Sequence, residues 1–231
     1  MRLHRFYVQE ELAKGKDIRI EDAALLHQWI KVFRLAASDR AIVFNGKGSD
    51  FEGYFKVLSK REAIIALDKE IKIKSIPACE LHVFQSIIKK DNFEFVTEKC
   101  TEIGAVAIHP IITERSEKKD LNLERIEKIA TEAAEQSGRS TVPEIFEPTD
   151  LKTALENFDG KIFVLDLDAE PLNIKQKVGE KIGILIGPEG GWTDNERDLF
   201  EHFKIKSFSF GEQVLRAETA AIAASVLILL K

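Results

Sequence analysis

Two short segments near the C-terminus hold residue types that together could do chemistry on a small bound molecule. The first is Gly187-Pro188-Glu189-Gly190-Gly191, three glycines in five residues directly after the apolar run Gly183-Ile184-Leu185-Ile186. Glycines here let the backbone approach a ligand closely and adopt conformations barred to other residues. The segment matches neither the GxGxxG dinucleotide fingerprint nor the GxxxxGK[ST] phosphate loop, and a carboxylate at its centre, Glu189, would repel a phosphate. A neutral or cationic ligand fits better, although a plain strand-to-helix turn would use the same glycines.

The second segment is Gly211-Glu212-Gln213-Val214-Leu215-Arg216-Ala217-Glu218-Thr219-Ala220, which gathers a cation, an anion and a hydroxyl at Arg216, Glu218 and Thr219. Arginine offers a planar fork of donors for an anion or a nucleobase edge. Glu218 and Thr219 equally suit the first turn of a helix. Lying at the ends of two successive strands, the two segments describe one pocket. A third cluster, Glu132-Ala133-Ala134-Glu135-Gln136-Ser137-Gly138-Arg139, puts Arg139 at the end of a helix, where it would also answer the helix dipole. Arg115, just past the strand that ends at Ile112, is open to the same two readings.

Several other chemistries lack their residues. Cys79 and Cys100 are too far apart for a CxxC site, and the five histidines form no HExxH or HxxxH pair, so no metal is expected. There is no GxSxG elbow of a hydrolase.

The elements that must position these segments change in character near Pro77. Residues 1–76 contain short β-rich runs at 4–8, 41–44, 51–58, 63–67 and 71–73, with Asn45-Gly46-Lys47-Gly48 as a hairpin turn. One helix is expected at 22–35, where Leu25, Leu26, Trp29, Ile30 and Phe33 recur at helical spacing. A small β-barrel or curled sheet would follow. From 77 to 231, apolar strands (81–88, 105–112, 162–167, 183–186, 205–210) alternate with helices (up to 103, 122–137, from 193, from 217). That alternation argues for a parallel sheet covered on both faces. Thr193-Asp194-Asn195-Glu196 reads as a capping box.

The chain has 231 residues, 44% hydrophobic and 32% charged, as befits a folded globular protein with a sizeable core. Its longest nearly apolar run, 220–230, is 11 residues, whereas a membrane span needs roughly 20. With no signal-like start, a cytoplasmic protein is expected. The net charge of −5 hides an asymmetry: residues 1–76 carry fifteen Lys and Arg against eleven Asp and Glu, and the remainder nineteen against twenty-eight. A basic front on an acidic body suits a module that meets a polyanion; chance variation in solvated surfaces would give the same figures.

With these residues set out, the chain resembles the RsmE family of ribosomal RNA methyltransferases in the SPOUT superfamily. The most specific matches are Ile186-Gly187-Pro188-Glu189-Gly190-Gly191-Trp192 and Val214-Leu215-Arg216-Ala217-Glu218-Thr219-Ala220. His4-Arg5-Phe6-Tyr7-Val8, Val32-Phe33-Arg34-Leu35, Phe44-Asn45-Gly46-Lys47-Gly48, Thr97-Glu98-Lys99-Cys100-Thr101-Glu102-Ile103-Gly104, Thr113-Glu114-Arg115-Ser116 and the cluster from Glu132 to Arg139 extend the likeness over the whole length. Departures are apolar for apolar: Ile103 and Ala105 for Leu and Val, Phe210 for Leu, and Trp192 for a more usual phenylalanine.

The resemblance implies an α/β protein: a small N-terminal PUA-like β-barrel for RNA binding (1–76), then a SPOUT α/β domain with a C-terminal deep trefoil knot (77–231). It implies S-adenosyl-L-methionine held by Leu165, Ile186, Gly187, Glu189, Gly190, Gly191, Phe210, Gly211, Val214, Leu215 and Ala220. The cationic sulfonium suits Glu189. It also implies a homodimer that methylates N3 of a uridine in 16S ribosomal RNA of the small subunit, without metal or membrane. Because N3 must lose its imide proton at or before attack, the expected catalytic set is Arg139 and Arg216, stabilising the uracil anion, with the proton taken by Glu218 or Glu189, directly or through water, or by water alone. Arg5, Arg34, Lys47, Lys56 and Arg115 are the expected RNA contacts. The rival readings are a binding protein that kept the fold and lost catalysis, and a methyltransferase for another RNA nucleotide.

Overall fold

In a computed structural model, which describes residues 3–72, 79–116, 120–167, 169–171 and 180–230, the chain forms two compact units. One comprises Met1–Ile76 with Ala134–Val142, the other Pro77–Ala133 with Pro143–Lys231.

The first unit is built on a five-stranded sheet of order β1-β3-β4-β5-β2. Its strands are β1 (Arg5–Tyr7), β2 (Asp17–Ile20), β3 (Arg40–Phe44), β4 (Asp50–Leu58) and β5 (Ala63–Ile71). β1 runs parallel to β3 and the other pairs are antiparallel. The β3–β4 register, Arg40↔Tyr54 to Phe44↔Asp50, places Asn45 to Gly48 in the connecting turn, with Gly46 at φ +76°. Gly53 is required for a different reason. A Cβ there would lie 2.4 Å from the Ala66 carbonyl oxygen, where β4 and β5 shift register.

The helix expected at 22–35 is shorter and of two kinds. α1 (Ala23–His27) is capped by the Asp22 carboxylate and passes into a π-helical turn at Gln28–Val32. Arg34, at φ +55°, ends it. Trp29 lies fully buried against Phe6 and Phe55, with ring centroids 5.4 and 5.2 Å away. β2 was not foreseen, and residue 73 of the expected 71–73 strand lies outside the described residues.

Residues 134–142 complete this unit. The Tyr7 amide donates to Glu135 Oε1 (2.7 Å), Gly48 N to the Ser140 carbonyl (3.0 Å), and Lys47 bridges to Thr141. Arg5 lies within, paired with Asp50 and donating to the Arg139 carbonyl at 2.8 Å.

The second unit holds a parallel sheet of order β12-β10-β11-β6-β7-β8, with β9 also on β7. Its strands are β6 (Cys79–Ser86), β7 (Ala107–Ile112), β8 (Glu144–Ile145), β9 (Thr149–Asp150), β10 (Lys161–Leu165), β11 (Glu180–Ile186) and β12 (Lys206–Phe208). Its helices are α2 (Lys90–Ile103), the start of α3 (Leu123–Ser137), α4 (Leu151–Asn157), α5 (Asp194–His202) and α6 (Ala217–Leu229).

Both faces of the sheet are covered, which explains its continuous apolar strands. Val83, Ile184 and Ile186 pack with Phe93, Val96 and Cys100 of α2 and Ala221, Ala224 and Ile228 of α6. Their neighbours Phe84 and Leu185 point the other way, toward Leu151 and Leu155 of α4 and Phe200 of α5. Among the described residues no helix is long and apolar enough to cross a membrane.

Candidate cofactor cleft

Parallel α/β sheets present ligand sites beyond the carboxyl ends of their strands. Here β10, β11 and β12 end around a cleft of about 380 Å³. One wall is Leu165, Asp166 and Leu167 after β10, a second is Ile186 to Trp192 after β11, and a third is Phe208, Ser209, Phe210 and Gln213 to Ala217 after β12, closed by Ala220 of α6. The two segments singled out in the sequence therefore share one cavity.

The glycine loop is shaped by its neighbours. Gly191 N donates to the Pro188 carbonyl (2.9 Å) and Gly191 sits at φ +69°, closing a turn before Thr193 caps α5. A Cβ at Gly187 would meet the Trp192 ring at 3.0 Å, and one at Gly190 would meet Arg115 Cδ at 3.2 Å. Trp192, buried, donates from Nε1 to the Leu165 carbonyl at 2.8 Å. Arg197 of α5 grips Asp166 with two bonds, Nε to Oδ2 at 2.9 Å and Nη2 to Oδ1 at 3.0 Å. That ion pair neutralises one of the two carboxylates lining the cleft and leaves Glu189, exposed on the loop, as the other.

Arg216 lines the cleft as the N-cap residue of α6. Its exposed guanidinium makes no hydrogen bond or ion pair with any described residue, so all its donors face solvent or a ligand. Glu218, in the first turn of α6, does not line the cavity; its Oε2 is buried without a partner among the described residues. Gly211 (φ +88°) shapes the loop, its amide held by Ser209 Oγ at 3.2 Å, rather than forming a wall. The other ten expected cofactor residues all line the cleft. Arg139 belongs to the first unit, where Nη2 donates to Thr141 Oγ1 (3.0 Å) and burial lowers its pKa to about 10.

The expected RNA contacts divide. Arg5 is turned inward. Its guanidinium pairs with buried Asp50 and lies 4.8 Å from the Phe44 ring centre, an arrangement that ties the sheet together and takes the charge out of reach of RNA. Lys56 is exposed but its ammonium contacts Asp17 at 2.7 Å. Arg34 and Lys47 are exposed and unpaired among the described residues. Arg115 reaches the glycine loop, Nη1 donating to the Gly190 carbonyl at 2.6 Å. Sequence reasoning missed Asp166, Arg197 and Gln213. Asp166 sits just past a strand end, which is a signal for a site; nothing local marks Arg197 as its partner. Among the described residues no group of three or more His, Cys, Asp or Glu could hold a metal.

This combination, a glycine-rich cleft at the strand ends of a parallel α/β unit, falls in a segment that matches a family of known class: residues 74–229 fit the model of the RNA methyltransferase domain. The chain is 30% identical over 230 residues to ribosomal RNA small subunit methyltransferase E of Rickettsia conorii, covering 97% of this chain and 94% of that one. Its counterpart from Synechocystis is 33% identical over 87% of this chain and 69% of its own. The crystal structure of ribosomal RNA small subunit methyltransferase E from Neisseria gonorrhoeae, bound to S-adenosyl methionine, superimposes with a TM-score of 0.90 at 28% identity, covering 98% and 96% of the two chains. The chain belongs to the ribosomal RNA small subunit methyltransferase E family.

Proposed function

We propose that this protein transfers a methyl group from S-adenosylmethionine to N3 of a uridine in 16S ribosomal RNA of the small subunit, in the cytoplasm and as a homodimer. The observation that carries the reading is the cleft itself, which combines the glycine loop with a free Arg216 in a chain of this family. The Neisseria relative was crystallised with the same cofactor.

The residues present fit that cofactor. Leu165, Ile186, Phe210, Val214, Leu215 and Ala220 supply apolar walls for an adenine ring, and Gly187, Gly190 and Gly191 supply bare backbone for polar contacts. With Asp166 neutralised by Arg197, Glu189 is left to favour a cation such as a sulfonium. When bound, S-adenosylmethionine supplies an electrophilic methyl group. The protein's part is to bring N3 to it and to stabilise the uracil anion that forms as the imide proton leaves. Arg216, with its donors uncommitted, takes the carbonyl oxygen on which charge develops, and Arg139 is the second cation of this reading. Glu218 or Glu189 accepts the proton directly or through water. Since ordinary carboxylates are weak bases for an imide, anion stabilisation carries most of the rate effect. N3 lies on the pairing edge, so the target base must be unpaired or turned out of its helix.

In the same reading the first unit is a PUA-like barrel that carries RNA on the exposed cations Arg34 and Lys47, with Lys56 as a weaker contributor because Asp17 neutralises it. The C-terminal part of the second unit is threaded as a deep trefoil knot. The exposed Leu227 of α6 and Leu230 at its C-cap, on a helix with no polar face, suit burial against a second copy. Incubation of the protein with methyl-labelled S-adenosylmethionine and unmodified small subunits tests the reading. Label should enter 16S RNA and not large-subunit RNA; absence of label from 16S RNA, with cofactor bound, would refute it.

A further inference from the structure

We infer that Arg115 is a positioning residue for the cofactor loop, held in place by the buried carboxylate of Glu196, and that its main task is not contact with RNA. The inference rests on the proposed cofactor reading of the cleft and deepens it. Nη1 of Arg115 donates to the Gly190 carbonyl at 2.6 Å and reaches the Trp192 carbonyl at 3.4 Å, so one nitrogen bridges the two residues that flank Gly191. Its aliphatic stem lies across the face of Gly190, where a Cβ would meet Arg115 Cδ at 3.2 Å and Cβ at 3.4 Å. The adjacent glycines Gly190 and Gly191 have no side chains to limit rotation. A guanidinium on the carbonyls either side of Gly191 supplies that restraint from outside the loop.

Arg115 is itself fixed. The turn Thr113-Glu114-Arg115-Ser116 is closed by Ser116 N donating to the Thr113 carbonyl (3.2 Å) and by the two hydroxyls 2.7 Å apart. Glu196, 3% exposed, then joins that turn to α5: Oε1 accepts from Glu114 N at 3.0 Å and Oε2 from Thr193 N at 2.9 Å. Asn195 adds a bond from Nδ2 to Glu114 Oε1 at 3.2 Å. Glu196 is thus more than half of a capping box. It ties the loop after β7 to the helix that follows the glycine loop. Neither Arg115 nor Glu196 lines the cleft, so any effect on the cofactor must pass through the loop.

Calorimetric titration of the full-length protein with S-adenosylmethionine, beside 16S RNA affinity and thermal unfolding, tests this on Arg115→Met, Arg115→Lys and Glu196→Gln. Arg115→Met should weaken cofactor binding by about tenfold or more, the loss expected for a charged hydrogen bond. Lysine, keeping one donor without the fork, should recover part of it. Glu196→Gln, which sets an amide NH₂ against a backbone N–H, should shift affinity in the same direction. KM for the cofactor should rise while kcat at saturating cofactor stays within about threefold, and RNA affinity should not change. Unchanged cofactor affinity in Arg115→Met, or a loss confined to RNA affinity, would overturn the inference. If Arg115→Met loses its unfolding transition, Arg115→Lys carries the same two outcomes. Failure of the unaltered protein to bind the cofactor would overturn the cofactor reading, and this inference with it.

Discussion

The Trp192 indole donates to the Leu165 carbonyl at 2.8 Å, so the residue just ahead of α5 secures the end of β10. The ring also packs edge-on to Phe200, at 5.0 Å between centroids, and fills the space a Cβ on Gly187 would occupy. Two cleft walls are joined by one side chain. Trp192→Phe keeps the apolar ring and removes the donor, and should cost about 1 kcal/mol, roughly 2–4 °C in Tm for a chain of this size. Trp192→Ala should cost about 3–5 kcal/mol and cofactor binding as well. Thermal unfolding with and without cofactor reads both effects.

Gly190 tests the loop by bulk. Valine there would press a branched side chain on Arg115, whose Cδ lies 3.2 Å from the position of a Cβ. Gly190→Val should leave a folded protein with its unfolding transition intact and no measurable heat of cofactor binding. Ordinary affinity in this variant would remove the loop from the binding site.

Arg216 is expected to act on the nucleobase and not on the cofactor. Its side chain is uncommitted among the described residues and caps no helix amide. Arg216→Ala should leave cofactor affinity within a fewfold and reduce single-turnover methyl transfer by about 10²-fold or more, the range for removing one donor to a developing anion. A matching fall in cofactor affinity would move Arg216 into the cofactor's own binding set.

The second unit carries a buried source of acid sensitivity. His82 Nδ1 and His109 Nε2 are 3.0 Å apart, and the His109 ring is stacked between Phe84 (4.2 Å) and Phe146 (4.0 Å). Burial lowers the pKa of His82 to about 4 and of His109 to about 3, with Lys181 adding to both and His82 adding to the latter. Both folded-state values lie below the ordinary 6.5. Unfolded chains therefore take up protons first as pH falls through 6.5, and stability is lost between there and about pH 4 by roughly 1.4 kcal/mol per pH unit per histidine. Urea unfolding at pH 7.0 and 5.5 should show this loss, reduced in His109→Phe, which preserves the stack. Equal losses in the two proteins would assign the sensitivity elsewhere.

The parts of this structure legible in the sequence are those written in neighbouring residues. The glycine loop after β11 and the helix beyond it follow from local pattern, and the Thr193 and Glu196 capping box forms as expected. Alternating apolar strands and helices beyond Pro77 are legible for the same reason. Four short elements are not: β2 has only Ile18 and Ile20 between charges, β8 and β9 are two residues each, and α4 buries only Leu151, Ala154 and Leu155. The π-helical turn at Gln28–Val32 is invisible because its apolar spacing is that of an ordinary helix. Charged residues mislead most. Arg5 reads as a surface cation until Asp50, 45 positions away, takes it inside. Asp166 and Arg197 are 31 apart, and Glu196 and Glu114 82 apart. Such pairings are set by topology, which local spacing does not encode.

Methyl transfer to uridine N3 is read from the identity of the product nucleoside. Small subunits from cells lacking the enzyme, incubated with this protein and methyl-labelled S-adenosylmethionine, are digested to nucleosides and separated by mass spectrometry. One new labelled species, 3-methyluridine, is expected from one position in 16S RNA, forming about 10²-fold more slowly or worse with Arg216→Ala. Label in any other nucleoside, or none in a protein that binds the cofactor, would contradict transfer to N3.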